Sequence, residues 1–270
     1  MTEYDVAPSP SMQVVHDGPR QAPPLLLIHG SGAAGASWNL LMPALAGRHH
    51  VIRVDLPGHG RSPAAPSYEV TAQADRVARV LDDLGLRDVA VAGHSSGGWI
   101  GTALAERRPE LVRSLTLISS GTSVDALLPQ PLVIRLLLSP PLGPLLWSIR
   151  SDGLIRRAAA ATAVRPVRIP DDMVAALRNV TYRTMRTVLR RNTEYLAERD
   201  LPERVDALEV PVLVICGDAD PRWDPASVSR YATVPGVRVA VLPGVGHLSI
   251  LEAPDAVGRL LLDFTAAGRV

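Results

Sequence analysis

The chain has 270 residues, of which 47% are hydrophobic and 20% are charged. A chain of this length can bury a large core, and its size suits one domain with an insertion. The formal net charge is only +1, which argues against a nucleic-acid-binding protein. The single cysteine, Cys216, has no second cysteine with which to form an internal disulfide. These properties agree with a single soluble enzyme.

The N-terminal sequence MTEYDVAPSP lacks the basic and apolar regions of a secretory signal peptide. The longest apolar stretch, residues 131–149, contains Arg135 and several prolines, so it is a poor membrane span. We therefore expect a cytoplasmic protein without a membrane anchor.

Short β-branched runs alternate with helical patterns along the chain, which predicts an α/β fold with a mostly parallel sheet flanked by helices. The predicted strands are residues 25–28, 51–55, 89–92, 114–118, 212–216 and 237–242. Residues 70–84 and 99–107 carry apolar side chains at helical spacing and are predicted to be crossover helices. Before residue 25 only residues 12–15 resemble a strand, so we expect the first edge strand of the sheet to be short.

The alternation stops between residues 121 and 205, which we call the helical insertion. A proline-punctuated apolar segment is followed there by a long helical pattern over residues 171–198. Residues 1–120 and 206–270 are predicted to form the core domain around it.

The helical insertion has more arginines than acidic residues, whereas the rest of the chain has the reverse balance. These arginines either cover solvated helix faces or bind an anionic group of the substrate. The candidates for the second role are Arg183, Arg186, Arg190 and Arg191. The apolar side chains of the insertion equally suit core packing or a pocket lining. They are Leu136, Leu137, Leu138, Leu142, Leu145, Leu146, Trp147 and Met185.

Ser95 lies at the centre of a G-x-S-x-G pentapeptide that directly follows an apolar run. A strand that turns sharply into a helix at this serine needs small residues two positions away on each side, and Gly93 and Gly97 provide them. The following helix would point its N-terminal N–H groups at a developing oxyanion. The pattern predicts a nucleophile elbow for acyl transfer.

A serine hydroxyl needs a base, and His247 is the best placed of the histidines because it follows the last predicted strand. A carboxylate at the end of the preceding strand would orient its imidazole. Asp220 is preferred there over Asp218, which falls early in the turn, and over Asp224, which suits a helix N-cap. Asp125 is a less favoured alternative after an earlier strand.

The oxyanion hole needs two backbone N–H groups, one of them from Ser96, the residue after the nucleophile. The second would come from Ser31 or Gly32, in the glycine-rich loop HGSGAAGASW that follows the first predicted buried strand. Gly30 and Gly32 would let the backbone approach a ligand closely.

Five motifs occur in order along nearly the whole chain. They are the HG pair at His29 and Gly30, DLPGHGRS at residues 55–62, GHSSGG at 93–98, GDADP at 217–221 and GHLSILEAP at 246–254. Together they resemble the motifs of the α/β-hydrolase fold family. The resemblance implies a helical cap over the active site, formed by the insertion, and it implies no metal or organic cofactor.

By this resemblance, Ser95, Asp220 and His247 correspond to the catalytic triad, and Ser31 and Ser96 to the oxyanion donors. Further candidates for contact with an apolar small-molecule substrate, with or without an anionic group, are Gly30, Gly32, Trp147, Met185, Arg190 and Leu248. We expect a serine hydrolase that cleaves a carboxylic ester through an acyl-enzyme.

Other activities of the same fold remain as alternatives. The HGSG loop and Trp38 are similar to those of carbon–carbon hydrolases acting on anionic ring-cleavage products, but those enzymes tend to carry Trp where this chain has Leu248. A biosynthetic lyase or cyclase, or a ligand receptor with slow turnover, could also retain the triad.

Overall fold

The structure is a computed structural model and describes residues 12–130 and 132–267. Its strands are β1 (Val14–Asp17), β2 (Pro24–Ile28), β3 (His50–Val54), β4 (Val89–His94), β5 (Val112–Ile118), β6 (Val212–Gly217) and β7 (Val237–Leu242). Its α-helices are α1 (Met42–Leu45), α2 (Val70–Asp83), α3 (Ser96–Arg107), α4 (Leu132–Leu138), α5 (Gly143–Ser148), α6 (Asp152–Ala160), α7 (Asp171–Asn179), α8 (Tyr182–Glu198), α9 (Leu201–Asp206), α10 (Ser249–Glu252) and α11 (Pro254–Ala267). Short 3₁₀ helices cover Gly35–Leu41, Pro109–Leu111 and Pro225–Thr233.

Within the described residues the strands form one sheet in the order β1-β3-β2-β4-β5-β6-β7. Only β1 runs antiparallel to its neighbour, and the other pairs are parallel. The predicted α/β fold with a mostly parallel sheet is therefore confirmed. Parallel strands bring their carboxyl ends to one edge, so the loops after β2, β4, β6 and β7 meet there.

The side chains of the central strands are buried on both faces of the sheet, as expected of parallel strands covered by helices. In β2, Leu26 and Ile28 pack into the apolar cluster that includes residues of α2 and α3. Leu25 and Leu27 face the opposite cluster, which includes residues of α1 and α11. This alternation follows from the two-residue period of a strand. The edge of the sheet at which these loops meet is thus anchored to a core with an apolar layer on each face.

The chain between β5 and β6 contains α4 to α9. Tyr195 and Leu196, near the end of α8, and Leu201 and Val205 of α9 belong to the same apolar cluster as the buried residues of α2 and α3. The last part of the helical insertion therefore packs with the core.

The long helical pattern predicted over residues 171–198 is divided in the structure into α7 and α8. Val180 is extended, with φ −69° and ψ 124°, and the Thr181 hydroxyl accepts a hydrogen bond from the backbone N–H of Thr184. This threonine N-cap starts a new helix, because it satisfies an N–H that lacks a partner at a helix start. The prediction of one continuous pattern was wrong at this point.

The first edge strand is short, as expected, but lies at Val14–Asp17 instead of residues 12–15. No helix in the two described ranges is both long enough and apolar enough to cross a bilayer.

Candidate active site

Ser95 occupies the sharp turn between β4 and α3. Its backbone has φ 53° and ψ −123°, a region that residues other than glycine rarely adopt. A Cβ on Gly93 would lie 2.3 Å from the carbonyl of Gly97, and a Cβ on Gly97 would lie 2.2 Å from the carbonyl oxygen of Ile28. Both glycines are required by this packing, which holds Ser95 in the geometry expected of a nucleophile elbow.

The structure brings Ser95, His247 and Asp220 into one chain of hydrogen bonds. The Ser95 hydroxyl donates to Nε2 of His247 over 3.1 Å. Nδ1–H of His247 donates to Oδ2 of Asp220 over 2.9 Å. All three side chains are buried. This arrangement can transfer a proton from the serine to the imidazole while a carboxylate holds the ring.

Asp220 is held as a carboxylate. Burial acts to raise its pKa, but the charge of His247 and the hydrogen bond from its imidazole oppose burial. The backbone N–H groups of Arg222 and Trp223 also donate to Oδ1 of Asp220, over 2.7 and 3.2 Å. Together these groups hold the pKa of Asp220 below its usual range. The other candidate acids lie elsewhere: Asp218 accepts from the N–H of Gly244, Asp224 caps a 3₁₀ helix, and Asp125 pairs with Arg230.

The two residues predicted to supply oxyanion donors are in contact through their side chains. Oγ of Ser31 lies 2.9 Å from Oγ of Ser96. Nδ2 of Asn192, from α8, donates to Oγ of Ser31 over 3.0 Å, and Oδ1 of Asn192 is buried without a partner among the described residues. Asn192 was not found from the sequence, because a lone asparagine within a helical pattern gives no sign of the loop it contacts.

Two other buried histidines, His29 and His94, form hydrogen bonds to the loops around the site. Burial and the nearby His59 lower the pKa of His29 to about 3, and burial and the nearby His247 lower that of His94 to about 4. Neutral His29 donates from Nδ1 to the carbonyl of Gly30 and accepts the N–H of Leu56 at Nε2. His94 donates from Nε2 to the carbonyl of His247 over 2.9 Å.

Glu252 holds the loop that carries His247. Its carboxylate accepts from the backbone N–H groups of Gly246 and Leu248, on either side of His247, over 2.9 and 3.0 Å. It also accepts from the N–H groups of Val164 and Arg165 in the helical insertion. The N–H of His247 itself donates to the carbonyl of Thr162. The motif GHLSILEAP contains Glu252, but two of the four backbone N–H groups that this carboxylate binds come from a distant part of the chain.

A cavity of about 320 Å³ opens onto Ser95 and His247. Of the predicted contact residues, Gly30, Ser31, Gly32, Trp147, Met185 and Leu248 line it. Leu137 and Leu138 line it as well, whereas Leu136, Leu142 and Leu145 are exposed.

The predicted arginines are not brought to this cavity. Arg190 lies on an outer face of α8 with Arg183 and Arg186, and it pairs with Glu194. Arg191 pairs with Glu69 and Glu194. Two other arginines, Arg150 and Arg222, line the cavity instead. Periodicity in the helical insertion could not show which face of α8 turns inward.

No group of three or more His, Cys, Asp or Glu side chains within residues 12–130 and 132–267 is arranged to hold a metal ion.

Comparison with known proteins agrees with this geometry. The profile of the alpha/beta hydrolase family matches residues 25–260. A pimeloyl-acyl-carrier protein methyl ester esterase of Neisseria meningitidis is 31% identical over 248 residues, which are 88% of this chain and 91% of that protein. The crystal structure of a membrane phospholipase A superposes with a TM-score of 0.79 at 27% identity, covering 96% of this chain and 83% of the other.

A third similar protein is known from its crystal structure, the N-acyl homoserine lactonase AidH in complex with N-butanoyl homoserine. The superposition has a TM-score of 0.79 and covers 96% of this chain and 93% of the lactonase chain. The sequence identity is 23%, so this similarity supports the fold alone. From the match over most of its length, this chain is an enzyme of the alpha/beta hydrolase family.

Proposed function

We propose that this enzyme is a serine hydrolase that cleaves carboxylic esters of small, largely apolar substrates. The observation that carries the proposal is the continuous hydrogen-bonded chain from Ser95 through His247 to Asp220, which lies at a cavity of largely apolar lining. In acyl-transfer enzymes such a chain converts a weak hydroxyl into a nucleophile.

The reaction begins when Oγ of Ser95 attacks the ester carbonyl and its proton passes to Nε2 of His247. The carboxylate of Asp220 stabilises the imidazolium that forms. The backbone N–H groups of Ser31 and Ser96 bind the oxyanion of the tetrahedral intermediate. His247 then donates its proton to the departing alkoxide, leaving an acyl group on Ser95.

A water molecule completes the cycle. His247 takes a proton from this water as it attacks the acyl carbonyl, and a second oxyanion forms at the same N–H groups. When the intermediate collapses, the imidazolium returns its proton to Oγ of Ser95 and the carboxylic acid is released. The products are therefore one alcohol and one acid, with the enzyme unchanged.

The lining of the cavity supports an apolar substrate. Ile134, Leu137, Trp147, Ile155 and Met185 contribute side chains from the helical insertion. Packing of an acyl chain against them would supply binding energy in proportion to the apolar area buried. In this proposal the insertion is a cap that selects the substrate, while the core carries out the reaction. The similarity of the chain to a methyl ester esterase and to a phospholipase A supports ester cleavage.

The test is turnover of p-nitrophenyl esters of graded acyl length by the wild type and by Ser95→Ala. We expect the substitution to lower kcat by about 10⁶-fold, as loss of a catalytic serine does in other triads. Ser229→Ala, an exposed serine outside the site, should leave turnover unchanged. Intact mass after treatment with a fluorophosphonate should show one adduct, absent in Ser95→Ala. Near wild-type turnover by Ser95→Ala would overturn the proposal.

A further inference from the structure

The charged side chains that line the cavity are all cationic. Arg150 and Arg222 lie in its wall, and no Asp or Glu is present among its described lining residues. The two arginines enter from different sides: Arg150 follows α5 in the helical insertion, and Arg222 lies in the loop after β6. A substrate inside the cavity therefore meets positive charge that no lining carboxylate neutralises.

Arg150 already has acceptors for its guanidinium. Its NH groups donate to the backbone carbonyl oxygens of Trp147, Leu177, Arg178 and Val180, and its charged group also stacks on the Trp147 ring at 4.1 Å. Several of these carbonyls belong to the C-terminal end of α7, where a cation is favourable. The hydrogen bonds of Arg150 thus connect the end of α5 to the end of α7 within the helical insertion.

Arg222 has a fixed backbone, whereas its side chain has few partners. Its guanidinium carbon lies 5.9 Å from the centroid of the Trp223 ring. Its N–H donates to Asp220, and its carbonyl accepts the N–H of Leu128 over 3.0 Å. The guanidinium has five N–H donors, yet the only side-chain hydrogen bond recorded within the described ranges is a long one, 3.4 Å, to Oε1 of Gln130. No carboxylate of the described residues lies within ion-pairing distance of it.

Asp220 is adjacent but is not a partner for this guanidinium. Oδ2 of Asp220 accepts from His247, and Oδ1 accepts from the backbone N–H groups of Arg222 and Trp223. Burial lowers the pKa of Arg222, and the charge of Asp220 offsets this only in part. The cation is therefore partly withdrawn from water without a counter-ion, and an anion brought by a ligand would relieve that cost.

The charge of Arg222 also acts at the base of the cavity. It contributes to lowering the pKa of His94, the residue that precedes the nucleophile. Gln130 lines the cavity beside it. One N–H of its amide donates to the carbonyl of Leu128, and the other can donate to an anionic oxygen. The lining that contains the reacting serine thus also contains a guanidinium without an ion-pair partner and a neutral donor.

We propose that Arg222, assisted by Gln130, binds a second, non-reacting carboxylate of the substrate, so that the enzyme prefers esters that carry a free carboxylate beyond an apolar spacer. The inference rests on the proposed esterase function and names its substrate class. A guanidinium pairs with a carboxylate in a planar, two-point arrangement that a lysine ammonium does not reproduce. The apolar lining accommodates the spacer between the two ends.

The carboxylate can belong to the acyl part or to the alcohol part of the ester, and two substrate series separate these sources. The first series compares p-nitrophenyl half-esters of dicarboxylic acids, from adipate to sebacate, with p-nitrophenyl esters of monocarboxylic acids of equal chain length. The second compares para-hexanoyloxybenzoate with its methyl ester. We expect the wild type to favour the carboxylate-bearing member of each pair in one of the two series.

Arg222→Gln should lower kcat/KM for that favoured substrate by about tenfold or more, mainly by raising KM, because one charge-assisted interaction is lost. The neutral member should change by less than about twofold. Arg222→Lys should retain part of the preference. Arg259→Gln, which changes an exposed arginine of α11, is the matched control and should change neither substrate. Equal losses on both members, or no preference in either series, would overturn the inference.

Binding without turnover separates this inference from the proposed function. In Ser95→Ala, calorimetry should show tighter binding of the favoured series' carboxylate-bearing ligand than of its neutral partner. Monomethyl adipate against methyl hexanoate serves for the acyl series, and para-hexanoyloxybenzoate against its methyl ester for the alcohol series. The difference should disappear in the double variant with Arg222→Gln. If wild type hydrolyses no ester yet this difference is present, the esterase proposal fails and the carboxylate site stands. If esters are hydrolysed and the difference is absent from both series, the carboxylate site fails.

Discussion

The elbow in the core and the outer face of the helical insertion differ in how tightly they are packed. On the core side, a Cβ added to Gly97 would lie 2.2 Å from a backbone oxygen. On the insertion side, a Cβ added to Gly153 of α6 would find its nearest neighbour, Oγ of Ser151, at 3.8 Å. Large apolar side chains of α4 and α5 are also exposed, such as Leu132 at 65% and Leu145 at 61%.

This difference shows where the structure tolerates substitution. The core positions Ser95 through contacts that leave no room for adjustment, so its geometry is set by close packing. The outer faces of α4 and α6 in the helical insertion are exposed and have free space around them, so their side chains can change at lower cost.

Replacing one glycine in each region tests this comparison most strongly. Gly97→Ala should lower the free energy of unfolding by about 3 kcal/mol, because the new methyl group forces the elbow away from β2. Turnover should fall as the Ser95 hydroxyl moves. Gly153→Ala should keep turnover and leave the unfolding free energy unchanged or raise it by up to about 1 kcal/mol, since alanine favours a helix.

Urea unfolding followed by circular dichroism measures the stability of each protein, and p-nitrophenyl ester hydrolysis measures its activity. Similar losses in the two variants would contradict the contrast between a rigid elbow and a tolerant outer face of the helical insertion.

The two regions should also respond differently to acid. All seven histidines lie outside the helical insertion, and burial lowers the pKa of His94 to about 4. Between pH about 6.5 and about 4 the unfolded chain therefore binds a proton at this position that the folded protein does not, so stability falls as pH is lowered. At pH about 5 this one histidine should cost about 2 kcal/mol.

His94→Gln keeps an amide donor toward the carbonyl of His247 but removes the titration. Urea unfolding at pH about 7 and about 5 should show a smaller loss on acidification in the variant than in the wild type, by about 2 kcal/mol. Identical losses in both proteins would show that His94 is not held neutral in the fold.

Asn192 is the point where the insertion reaches the predicted oxyanion residues, and its replacement should have the smallest effect. Asn192→Ala removes the donor to Oγ of Ser31, so the Ser31–Ser96 contact loses one constraint. Direct loss of an oxyanion donor costs about 2.7–4 kcal/mol. Asn192 acts through Ser31, so we expect kcat to fall by about tenfold with little change in KM. Thr193→Ala, on the exposed side of the same helical turn, is the control and should retain wild-type kcat. An unchanged kcat in Asn192→Ala would show that the hydrogen bond from Asn192 to Ser31 does not contribute to catalysis.

The sequence predicts most of the sheet because buried strands leave continuous apolar runs. Residues 237–242 were assigned to a strand with its observed bounds, and the G-x-S-x-G motif predicted the elbow that the structure places at Ser95. Local patterns suffice to predict an element when its apolar residues repeat with a clear period, or when the backbone conformation of a turn requires particular residues.

The remaining features depend on contacts between distant segments. The break between α7 and α8 lies at Val180 and Thr181 without glycine or proline, and only the Thr181 cap reveals it. Arg222 lies within the loop that predicted Asp220, but its exclusion from ion pairs is a property of the folded cavity. The roles assigned to Ser95, Asp220 and His247 remain predictions for the experiments above.

The carboxylate of Glu252 has a consequence for exchanging parts between related enzymes. This carboxylate accepts from the backbone N–H groups on both sides of His247 and from that of Val164, which lies 88 positions before Glu252 in the chain. A chimera that takes its insertion from a relative would replace Val164 and Arg165 but keep Glu252, which could lose two of its four backbone donors. Recombination must therefore treat residues 162–165 and the loop that carries His247 as one inherited unit.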